Sequence, residues 1–176
     1  MTEHSLSDPP RTVSRGPLVP LPHGDVDRAD CWARCARLGE GSEAPYARAL
    51  LAVCALADAP AAADLEAVLA DLRAVDAKQR LTHVLLCAAE ADLRQGRAAA
   101  AEAHAGEALA LAELLERPSD VVLARVALAR AAVLASDAEA ARQQRGQLGP
   151  AVLRQASAQA RNAAAALEPS ARRSRR

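Results

Sequence analysis

Residues 93–111, LRQGRAAAAEAHAGEALAL, and residues 134–148, LASDAEAARQQRGQL, share one pattern. Each is a helix end, a tight turn at Gly96 or Ser136, and then an Ala-rich second helix, with Ala101 and Ala141 both five residues past the turn. The turns recur along the chain. Asp58, Gly96 and Ser136 occupy equivalent short turns 38 and 40 residues apart, and longer breaks near Ala77 and Arg117 are also separated by 40. A period of about 40 residues is the mark of a helical repeat, whose units bury their apolar faces only against their neighbours.

The apolar spacing around these segments is helical. Leu65, Val68, Leu69 and Leu72 follow the i, i+3, i+4, i+7 pattern, as do Leu81, Val84, Leu85 and Ala88, and Val122, Val126, Ala129 and Val133 follow it with slight drift. The breaks carry matching chemistry: Gly39 and Gly41 stop a first helix, Ser42 can cap the next, Asp58 precedes Pro60, and Pro118 restarts the chain. Ser136 and Glu139 fit a capping box, and Gly149-Pro150 opens a last helix. These signals predict helices near 26–38, 43–57, 60–76, 79–95, 98–116, 119–135, 137–147 and 150–167. Composition agrees. Half of the 176 residues are apolar, Phe is absent, Trp32 and Tyr46 are the only aromatics, and Ala fills about a quarter of the chain, which favours helix and disfavours an all-β or parallel α/β fold. The fold class expected is all-α, antiparallel helical hairpins with a core of Leu, Val and Ala.

The charge sums to zero but is unevenly spread. From Arg142 onward there are eight Arg against one acid, Glu168, so this part carries +7 and residues 1–141 carry −7. Residues 1–24, rich in Pro, Ser, Thr and Gly, read as a disordered leader; residues 25–168 form the helical domain; residues 169–176 form a basic disordered tail. No apolar run suits a signal peptide or the ~18 residues of a membrane span, so a cytoplasmic protein with no membrane role is expected. Cys31, Cys35, Cys54 and Cys87 are then free thiols, of which Cys54 and Cys87 sit among apolar neighbours.

From Arg80 to Leu115 the chain resembles a tetratricopeptide-type hairpin, of the longer-period kind attached to bacterial transcription regulators and protein kinases. Gly96-Arg97 at the turn, the small Ala101 and the pair Ala108-Leu109 carry the resemblance. Leu85, Ala88, Ala89 and Asp92 depart from the large and Gly residues usual on the first helix, and Ala105 replaces the usual aromatic on the second. The likeness extends in weaker form over residues 43–148. It implies a short right-handed solenoid, with a concave groove lined by the first helices. The groove positions it implies are His83, Leu86, Glu90 and Arg94 in one repeat and Leu123, Val126 and Arg130 in the next.

Chemistry is sparse. GxSxG, P-loop, GxGxxG and HExxH patterns are all absent, so no catalytic residues are expected. Cys31/Cys35 and His83/Cys87 have i, i+4 spacing but form no four-ligand zinc pattern, so no metal and no cofactor are expected. The tail ARRSRR, 171–176, could touch phosphates, yet no aromatic platform lies near it and nucleic acid is not the expected ligand. The expected function is non-catalytic: a scaffold that binds a protein or peptide partner. Two rivals remain open, a structural homodimer paired through apolar positions such as Leu72 or Val122, and a basic-tailed nucleic-acid accessory protein.

Overall fold

The computed structural model describes residues 43–58 and 65–167. The expected leader, the helix over 26–38, the break at Pro60 and the basic tail lie outside them. Among the described residues there are eight α-helices and no strand: α1 (Glu43–Asp58), α2 (Leu65–Ala74), α3 (Lys78–Arg94), α4 (Ala98–Leu114), α5 (Pro118–Leu134), α6 (Ala138–Gly146), α7 (Pro150–Gln155) and α8 (Ala158–Ala165). The bounds of α3, α4, α5 and α6 fall within about two residues of those read from the sequence, the usual latitude at frayed ends.

Four of the connections are the same turn. α2–α3, α3–α4, α4–α5 and α5–α6 are each joined by three residues whose middle member has positive φ: Asp76 (51°), Gly96 (75°), Glu116 (51°) and Ser136 (63°). In every case the amide after that residue donates back to the carbonyl five residues earlier. These bonds run from Ala77 to Leu72 (3.4 Å), Arg97 to Asp92 (2.9 Å), Arg117 to Ala112 (2.9 Å) and Asp137 to Ala132 (2.8 Å). Together with the bond from the amide of the positive-φ residue itself to the carbonyl three residues earlier, this is a Schellman termination, which satisfies carbonyls the helix end would otherwise orphan. The expected contrast between tight turns and longer breaks is therefore corrected. The breaks at 76 and 116 are as tight as those at 96 and 136, so the turn recurs every 20 residues.

Two expected caps also change. Ser136 is the left-handed turn residue, not a helix cap; the cap is Asp137, whose carboxylate accepts from the amides of Glu139 (3.1 Å) and Ala140 (2.9 Å). The single helix expected over 150–167 is two. It opens at Pro150, breaks at Ala156, and restarts where the Ser157 hydroxyl accepts from the Ala160 amide. Ser157 is itself tied to α5, because its amide donates to Ser119 Oγ at 2.9 Å.

Short turns return each helix antiparallel to the one before. Consecutive helices from α1 to α6 pack together, α3 also lies against α1 and α5, and α7 and α8 cover part of α5. The core is asymmetric in size. α3 contributes Leu81, Val84, Leu85 and Leu86, whereas the buried residues of α4 are Ala101, Ala105, Ala108 and Ala112. Large side chains of one helix meet small ones of the next, which lets the two pack closely. α5 is buried on two sides: Ala124 joins the core of α1–α4, while Val122 and Val126 pack on Ala156, Ala160 and Ala164 of α7–α8.

Candidate functional site

Because α1, α3 and α5 pack in series, residues far apart in sequence meet along them. Glu43 on α1 pairs with Arg80 on α3, and the Arg80 guanidinium lies over the Tyr46 ring, 5.4 Å from its centroid. The Tyr46 hydroxyl is 2.9 Å from Nδ1 of His83. Burial, the largest influence on His83, lowers its pKa, and the charges of Asp120 and Arg117 act on it in opposite senses. With the neutral ring in its Nε2–H tautomer, Nδ1 accepts the Tyr46 proton.

Further along, Glu90 is the centre of an ion cluster. Its carboxylate accepts from Arg94 Nε (3.3 Å) on its own helix and from Arg130 on α5. The three charged residues expected in the groove are thus brought together, and they neutralise one another in part.

The remaining groove positions divide. Leu123 is half-buried, packed against the main core. Leu86 and Val126 are buried, at 7% and 6% exposure, so neither lines an open surface. A helix held between two neighbours buries more than one stripe, and nine residues of α3 are buried. Leu72 and Val122, offered as dimer contacts, are fully buried within the chain itself and cannot serve a second copy.

One pairing has the composition of a reactive thiol site. His83 Nε2 is 3.8 Å from Cys87 Sγ, and the Cys54 thiol interacts with that of Cys87. The environment opposes reactivity, since burial pushes the Cys87 thiol up to about 12 and leaves it protonated at neutral pH. Among the described residues no group of three or more His, Cys, Asp or Glu is placed to hold a metal ion.

The most connected polar cluster was not foreseen. Asp92, 1% exposed in the stripe continued from Leu85 and Ala88, accepts from Nε of Arg97 (2.8 Å) at one oxygen. His104 Nδ1 stands 2.7 Å from the other. His104 Nε2 faces Glu66 on α2 at 3.4 Å, and Arg73 bridges Glu66 and Glu107. The hydrogen bond to Asp92, the largest cause, raises the His104 pKa. The available sequence signal was an acid inside an apolar stripe, four residues after Ala88.

No helix of the described residues is long and apolar enough to cross a membrane. No protein-family model, curated protein or solved structure matches the chain.

Proposed function

We propose that the chain is a protein–protein interaction module without catalytic chemistry of its own, a short right-handed stack of tetratricopeptide-like hairpins. The observation that carries this reading is the recurrence of one turn at residues 76, 96, 116 and 136. The four turns bound three helices of equal length, α3, α4 and α5, with 17 residues each, and the series packing of α1, α3 and α5 lays one face of each first helix side by side. Such a row is the extended surface on which repeat proteins bind partners. Its polar members here are Glu43, Arg80, Glu90, Arg94 and Arg130. They carry both signs, which suits a peptide or helix that itself carries both. The likeness in pattern to repeats attached to bacterial regulators makes a regulatory system the natural setting, with the protein in the cytoplasm.

The test is capture of a partner followed by charge reversal of Glu90→Arg, Arg94→Glu and Arg130→Glu together. The reversal keeps every ion pair of the cluster while inverting what a partner meets, so stability should change by less than ~0.5 kcal/mol. Affinity for a directly binding partner should fall about tenfold or more. Unchanged affinity by titration calorimetry would remove this face from the function.

A further inference from the structure

From Arg48 to Arg130, every Lys and Arg of the described residues has an acidic partner. The pattern then stops. Among the described residues Arg142 and Arg145 have no ion-pair partner, and Nε of Arg145 is buried without a hydrogen-bond partner, a costly state for a charged donor. Both arginines line a cleft of about 240 Å3 with Val133, Ser136, Ala138 and Ala141, between the end of α5 and α6.

The repeat shows what normally fills this position. Forty residues earlier, the equivalents of Ala129, Val133 and Arg145 are Ala89, Leu93 and Ala105. Those three receive Ala127 and Leu128 of α5, so the face is covered by the first helix of the next hairpin. After the hairpin of α5 and α6, no helix of the described residues arrives there. α7 and α8 settle on Val122 and Val126 in the first half of α5, and Val133 is left 54% exposed. Arginine at 145, where alanine would admit an apolar helix, changes what can dock. The chain's own continuation fits poorly, since residues 168–176 hold four Arg and one acid.

We propose that this cleft is a docking site for an acidic amphipathic helix of another protein. Its apolar side covers Val133 and Ala138, which are exposed, and its carboxylates pair with the guanidinium groups of Arg142 and Arg145. Charge complementarity selects this occupant, and a helix is the element that covers the same face one hairpin earlier. The cleft shares no lining residue with the row containing Glu90, Arg94 and Arg130.

The test is selection from a display library of random peptides about 15 residues long, enough for four helical turns, on the full chain. Enriched peptides should carry Asp or Glu beside apolar residues at i, i+3 and i+4 spacing. Their affinity should fall more than about tenfold for the Arg142→Gln/Arg145→Gln double variant. It should hold in Arg154→Gln and in the Glu90/Arg94/Arg130 reversal, so the two readings fail independently. Circular dichroism checks that the double variant folds. Several results overturn the proposal: no enrichment, enrichment of neutral or basic peptides, or equal affinity for the double variant. Two more do so by naming another occupant: duplex DNA binding that depends on the same arginines, or a wild-type dimer in sedimentation that the double variant loses.

Discussion

An L-amino acid in the left-handed region brings its Cβ against the following carbonyl oxygen, at a cost of roughly 1–2 kcal/mol, and glycine escapes that cost. Three of the four turns set Asp76, Glu116 or Ser136 there, and only Gly96 has the relaxed residue. A Cβ added at Gly96 would meet nothing within 4 Å, so the penalty of Gly96→Ala is one of backbone conformation alone. Gly96→Ala should therefore destabilise by ~1 kcal/mol, whereas Glu116→Gly should stabilise by several tenths up to ~1 kcal/mol. The gain is limited because glycine also loosens the unfolded chain. Urea titration of both variants reads the signs directly; a Glu116→Gly variant less stable than wild type would mean that the Glu116 side chain contributes more than its backbone costs.

Between the helices the limiting quantity is space. Ala101 is fully buried on α4, while Ala99, two residues before it on the same helix, is exposed. Ala101→Leu should cost ~1–3 kcal/mol through overpacking, whereas Ala99→Leu, with a residue of nearly equal helix propensity, should change little. Ala98 is half-buried and makes a poorer control. Equal melting temperatures for the two Leu variants would contradict the packing of this hairpin. The same physics explains what was readable beforehand. The stripe Leu81, Val84, Leu85, Ala88 and the restart at Pro118 are properties of one helix, so local spacing reveals them. Gly96 announces its turn, but Asp76 and Glu116 adopt the same geometry with residues that announce nothing, and their breaks read as longer than they are. Ser136 with Glu139 imitates a capping box, yet Asp137 is one residue better placed. Ser157 reads as a residue within a helix because the sequence around it is rich in Ala, although it caps a new one. Glu90, Arg94 and Arg130 were expected on one groove face through the resemblance, but their mutual ion pairing was not. Nor was the burial of Leu86 and Val126, since it depends on how many helices surround each one.

Across the whole molecule, protonation of His104 decides whether three helices are tied at one point. Asp92 of α3 and Glu66 of α2 face the two nitrogens of this α4 ring, with Arg97, Arg73 and Glu107 completing the charged surroundings. A neutral imidazole has a single N–H and serves one carboxylate; the imidazolium serves both. Folding therefore favours the protonated ring and raises its pKa above the usual 6.5, mainly through the bond to Asp92. A raised pKa gives stability that is fully present below the unfolded-state value near 6.5 and is lost as pH rises through the folded-state value. His83 has the opposite sign. Burial lowers its pKa, so its contribution is lost as pH falls below about 6.5 toward the folded value. The two oppose each other in any single melting curve, and the informative quantity is the difference between wild type and His104→Gln, in which His83 cancels. That difference should be largest below pH ~6.5 and should shrink as pH rises above it. Melting temperatures of both proteins across that range check the sign, and an NMR titration of His104 should show a midpoint above that of a free histidine. A difference independent of pH would mean that His104 is held by packing, with its charge contributing nothing to the join between α2, α3 and α4.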